Sequence, residues 1–137
     1  MALTGAPGCG GGAKRNTPEA CLQAFDAAMR KGDVDTAAGL FALAKIAELN
    51  ATDWATYPAS QRQLILQKMR EDQAQKLSAW RNAYLQGGYK LGPIRPGGEW
   101  ATAVLEGARD RVTVRLYRTN NQWAIYQVGS LPLPLPG

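Results

Sequence analysis

Residues 84–118 read YLQGGYKLGPIRPGGEWATAVLEGARDRVTVRLYR, and the rhythm of the apolar positions changes inside them. Before Gly87-Gly88 they recur every three or four residues, as on one face of a helix. After it they alternate, as on a strand with one buried side. Val112, Val114 and Leu116 alternate with Arg111, Thr113, Arg115 and Tyr117, so one sheet face is expected to be buried and the other wet. Strands are predicted at 89–95, 99–106, 111–118 and 122–128. Gly97-Gly98, Gly107-Ala108 and Thr119-Asn120-Asn121 separate them. Connections this short join neighbours antiparallel. Gly92 and Pro93 weaken the first strand and suit an edge.

Upstream, the same reading predicts three helices. Thr17 caps the first, Pro18 suits its first turn, and Glu19 complements the helix dipole. Cys21, Leu22, Phe25, Ala28 and Met29 form its apolar face, and Gly32 ends it. Asp33 caps a second helix that runs to about Asn50, with Val34, Ala37, Ala38, Phe41 and Ile46 inward. Residues 51–59 are a connection carrying Trp54 and Tyr57. The third helix covers 60–86, with Ser60 and Gln63 spaced as a capping box. Its stripe is Ile65, Leu66, Met69, Leu77, Trp80, Tyr84 and Leu85, interrupted by the polar Gln73. The expected fold class is therefore α+β: three N-terminal helices packed on a curved C-terminal antiparallel sheet of about four strands.

The chain has 137 residues, enough for one domain and too few for two ordinary ones. The Gly-rich stretch 1–16 reads as a flexible leader, 17–129 as the single α+β domain, and LPLPLPG at 130–137 as an extended Pro-rich tail. No apolar run reaches the roughly 20 residues that cross a bilayer. The net charge of +5 is uneven: 1–16 carry +2, 17–86 are neutral, and 87–137 carry +3. Arg109, Arg111, Arg115 and Arg118 make a mildly basic sheet region. It is far sparser than a nucleic-acid stripe, so no nucleic acid is expected as a partner. Histidine is absent, which removes the commonest general base and metal ligand. No metal or cofactor is expected.

Two stretches resemble nuclear transport factor 2-like domains, the cystatin-like cone superfamily. TPEACLQAFDAAMRKGDVDTAAGLFA (17–42) is similar to their opening helix, Gly-Asp junction and short second helix. RVTVRLYRTNNQWAIYQV (111–128) is similar to their last hairpin. The long helix at 60–86 departs from the commonest enzyme layout and looks closer to uncharacterised bacterial lipoprotein-type members. The resemblance implies a curved sheet around helices, often with an internal pocket. The enzymes of that superfamily place Asp, His, Tyr or Arg inside the cone. Without His, an Asp-Tyr version is what this chain has left, and Asp26, Tyr57 and Tyr84 are the candidate proton-handling groups.

Ala6-Pro7-Gly8-Cys9 followed by three glycines resembles the end of a lipoprotein signal, with Cys9 as the lipidated residue. Two features depart from that pattern: Ala6 stands where Leu is expected, and no apolar stretch precedes it. The other reading is an incidental Cys in a floppy leader. Lipidation implies attachment to the bacterial cell envelope; without it a cytoplasmic location is the alternative. Trp54, Tyr57, Trp80, Tyr84 and Trp123 are candidates to line a pocket for a small apolar ligand, the competing reading being ordinary packing. Arg115 and Tyr117, on the wet sheet face, are candidates for a homodimer or protein-partner interface. Three functions follow: a non-enzymatic ligand- or partner-binding domain, a small enzyme acting on an apolar ring compound, and a dimeric assembly module.

Overall fold

The computed structural model describes residues 15–136. Thr17 begins α1 (Pro18–Lys31), its hydroxyl accepting from the Ala20 amide at 3.1 Å. Gly32 ends it at φ 80°, a left-handed conformation that costs glycine little. Asp33 starts α2 (Val34–Gly39), accepting from both the amide and the hydroxyl of Thr36. Those two hydrogen bonds hold the Asp33 carboxyl below its ordinary range.

The predicted second helix does not run unbroken. It stops at Gly39 and resumes as α3 (Leu43–Asn50). In the gap, the Leu40 carbonyl accepts from the Ile125 amide at 2.9 Å, and the Ala42 amide donates to the Ile125 carbonyl at 2.7 Å. Phe41 thereby forms a parallel bridge with the last strand. An open strand edge needs partners for its amides and carbonyls, and the break around Phe41 supplies them where another helical turn would not.

After a 3-10 turn at Trp54–Thr56 comes α4 (Ala59–Gly87), a helix about 43 Å long. The predicted Ser60–Gln63 capping box does not form. The helix starts one residue before Ser60, with Pro58 in the cap position and no side-chain cap. Proline's fixed φ already suits that entry, and the Arg62 amide reaches the Pro58 carbonyl at 2.9 Å. Gly88, at φ 61°, closes the far end.

The sheet is a four-stranded antiparallel meander, β1 (Lys90–Gly97), β2 (Trp100–Glu106), β3 (Arg111–Thr119) and β4 (Gln122–Val128), and does not close into a barrel. Asn120 and Asn121, both at positive φ, make the tight turn between β3 and β4. The helices pack against this sheet, so the α+β class with N-terminal helices and a C-terminal antiparallel sheet is what the chain adopts.

The core lies between these layers, filled by Phe25, Met29, Ile46, Leu77, Leu116 and Ile125, all nearly inaccessible. Phe25 meets Phe41 and Tyr84 edge-on, at centroid distances of 6.1 and 5.9 Å. Cys21 is fully buried, and burial pushes its thiol up to about 12, so it acts as a small hydrophobe. The tail runs along α4: Lys76 donates to the Leu133 carbonyl at 3.1 Å and Pro134 is buried.

Gln73 stays on the buried stripe of α4 at 1% exposure, and its side-chain oxygen accepts no hydrogen bond among the described residues. An orphaned buried acceptor costs about 1–3 kcal/mol. Gln73→Leu, of similar size, is therefore expected to raise unfolding stability by about 1–2 kcal/mol in urea titration. Equal or lower stability would mean that the amide has a partner worth keeping.

Candidate functional site

Position 26 lies half-buried on α1, one residue past the core residue Phe25. α4 crosses α1 so that the Tyr84 hydroxyl donates to Asp26 Oδ1 at 2.5 Å. Arg30, one turn further along α1, donates from Nε to Asp26 Oδ2 at 2.8 Å. Both carboxylate oxygens thus accept a hydrogen bond, one from a buried phenol and one from an exposed guanidinium. Burial raises the Tyr84 phenol well above its ordinary range, and the bond to Asp26 adds to that. Tyr84 is held as a protonated donor.

A second Tyr–Asp pair stands beside the first. The Tyr89 hydroxyl contacts both Asp110 oxygens, at 2.8 and 3.0 Å. That hydrogen bond raises the Tyr89 phenol, with burial reinforcing it. The two tyrosine rings are 5.5 Å apart and tilted by 32°. Tyr89 can sit there because glycines flank its ring. A β-carbon built on Gly107 would lie 2.6 Å from Tyr89 Cε1, and one built on Gly87 would strike the opposite ring edge.

Asp26, Arg30 and the two tyrosines border a cleft of about 300 Å³ between α1, the end of α4 and the β1–β2 edge. Leu22, Leu91, Leu105 and the two rings supply apolar wall, and Gln23, Asp26, Arg30 and Lys90 supply polar groups. Lys90 is exposed and has no ion-pair partner among the described residues. Two cations against one carboxylate leave the cleft lining with an excess of positive charge. A hollow of about 250 Å³ between α4 and the tail is less suited to recognition. Of its polar side chains, Lys68 is exposed and Asp72 is already paired with Lys76 at 3.0 Å.

The candidates named from sequence are dispersed. Asp26 and Tyr84 meet in the cleft, and Trp80 stands beside Tyr84 with centroids 5.3 Å apart. Trp54 and Tyr57 pair with each other instead, at 5.9 Å, and neither lines the cleft. Trp123 lies on β4 with the Arg118 guanidinium 5.8 Å above it. Arg115 is on the outer sheet face, stacked over Trp100 at 4.7 Å, and Tyr117 lies under the Lys45 ammonium at 4.7 Å. Cys9 lies outside the described residues. Sequence reasoning missed Arg30, Tyr89, Lys90, Leu91 and Asp110. The one available signal was the flanking of Tyr89 by Gly87-Gly88 and Gly107, which spares space for a ring.

Among the described residues, no cluster of three or more Cys, Asp or Glu is placed to hold a metal ion, and no helix is long and apolar enough to cross a membrane. No family model, curated protein or solved structure matches the chain.

Proposed function

We propose that the chain is a ligand-binding domain that takes a small, mostly apolar acid in the cleft between α1, α4 and β1–β2. The observation that carries this is an apolar concavity whose wall also holds Arg30 and Lys90, which exceed Asp26 in charge. Leu22, Leu91, Leu105 and the tyrosine rings receive the apolar body, and the cations receive the acid. A cleft of about 300 Å³ is at the small end of ligand sites, so a one- or two-ring compound suits it. The resemblance of 17–42 and 111–128 to nuclear transport factor 2-like domains fits a pocketed binding role. Attachment to the bacterial envelope through Cys9 belongs to the same reading. Metabolic labelling with a fatty-acid analogue tests it, and an unlabelled Cys9 with the full upstream coding sequence present would remove it.

Binding is preferred over catalysis because Asp26 is already engaged on both oxygens. A ligand proton would have to compete with Tyr84 and Arg30 for it. The enzyme reading is favoured by one contact, the 2.5 Å Tyr84–Asp26 bond, which places a carboxylate base and a phenol donor in one site.

Titration with 1-naphthoate separates the readings. The protein is expected to bind it, and Arg30→Ala and Lys90→Ala together are expected to weaken binding about tenfold through loss of the charge contacts. Asp26→Asn is expected to retain or tighten binding, because it removes the one negative charge beside the acid. If Asp26→Asn instead leaves binding intact but abolishes conversion of an apolar ring ketone, the enzyme reading replaces this one. Binding unaffected by the paired Arg30→Ala and Lys90→Ala changes would sink the acid-binding reading, and no conversion of the ring ketone by the unaltered protein would sink the enzyme reading.

A further inference from the structure

The outer face of the sheet carries a row of exposed polar and cationic side chains. Paired residues on neighbouring strands point to the same face, and the register aligns Arg95, Thr102 and Arg115 in one row across β1, β2 and β3. All three are exposed. The two arginines stand two strand spacings apart, about 10 Å, with the threonine hydroxyl between them. Arg111, on the same face, is offset by Glu106 at 3.8 Å, whereas neither Arg95 nor Arg115 pairs with a carboxylate among the described residues.

The Arg115 guanidinium is held in place. It lies over the Trp100 ring at 4.7 Å and the Tyr126 ring at 5.2 Å. Tyr126 is itself buried and tied to Asn50 Nδ2 at 3.3 Å. A stacked guanidinium keeps its N–H edge directed outward and loses little further freedom when it forks onto a carboxylate.

We propose that this face docks an acidic segment of a partner protein, with Arg115 as the principal carboxylate receptor and Arg95 and Thr102 extending the contact. A second copy of the chain fits poorly. A two-fold pairing of the face would bring unpaired arginines against unpaired arginines, and like charges across an interface are costly. Single-stranded nucleic acid fits poorly too, because it needs open rings for base stacking. Here Trp100 lies under Arg115, Tyr117 lies under Lys45, and Tyr126 is buried.

The test is fluorescence anisotropy at low salt with a labelled poly-glutamate peptide of about a dozen residues. Binding is expected, and Arg95→Glu with Arg115→Glu should weaken it more than about tenfold. The charge-matched control Lys68→Glu with Arg109→Glu, at exposed positions away from the row, should weaken it no more than about twofold. Arg115→Lys, which keeps the charge and loses the planar fork, should also weaken it, by several-fold. Thermal melts of all variants check folding, and loss of binding with an intact melt supports the proposal. Equal losses in the control would reduce the binding to net charge and overturn it. So would an unchanged Arg115→Lys, a tighter complex with oligouridine of matched charge, or a stable dimer dispersed by the double reversal.

Discussion

Phe25→Ala is expected to lower the melting temperature by roughly 10–20 °C. The ring is 1% exposed and meets Phe41, in the break between α2 and α3, and Tyr84 near the end of α4. It thus ties three separate parts of the helical layer together. Truncating a buried phenylalanine costs about 3–5 kcal/mol through lost burial and the cavity left behind. Small domains are stable by only about 5–15 kcal/mol, so this one change removes a large share. The site is affected as well: without Phe25 the Tyr84 ring loses an edge contact that fixes its hydroxyl against Asp26. Circular dichroism melts measure the effect. A loss below about 1 kcal/mol would mean that the helical layer is not organised around this ring.

Gly107→Ala is expected to cost about 1–3 kcal/mol, a large effect for one added methyl group. The new carbon would lie 2.6 Å from Tyr89 Cε1 and 2.9 Å from the Gly87 carbonyl oxygen. The ring cannot simply slide away, because Gly87 backs its other edge. The backbone is also pinned, with the Gly107 amide on the Asp110 carbonyl at 2.8 Å and the Ala108 amide on the Gly87 carbonyl at 2.9 Å. Displacing Tyr89 should pull its hydroxyl from Asp110 and reshape the cleft, so affinity for 1-naphthoate should fall along with stability. Gly87→Ala should act on the same ring, and the double variant should depart from the sum of the two. Urea unfolding of the two single variants and the double variant completes the cycle. Wild-type stability and affinity in Gly107→Ala would show that the ring has room.

The strands were legible because alternation is local. Val112, Val114 and Leu116 declare their buried face without reference to anything distant, and Asn120-Asn121 declares its own turn. The break at Leu40–Ala42 was not legible, because it depends on the exposed edge of β4, which lies far along the chain and forms only after folding. The same distinction governs the site. Asp26 and Tyr84 were each recognisable as chemical groups, but their union depends on the angle at which α4 crosses α1. Tyr89 and Leu91 look like ordinary strand residues in sequence. Only the assembled β1–β2 edge turns them toward a cleft. The Trp54–Tyr57 pair shows the reverse: aromatic residues on a connection resemble a ligand site, yet here they meet each other edge to face.

The cleft beside Asp26 and Tyr84 is the place where a small apolar acid is expected to bind. The most direct measurement is the 1-naphthoate titration followed residue by residue through backbone amide chemical shifts. Saturable changes are expected, concentrated at Leu22, Gln23, Lys90, Leu91 and Leu105. Changes centred on the α4–tail hollow or the outer sheet face, or no saturable change up to about 1 mM, would contradict it.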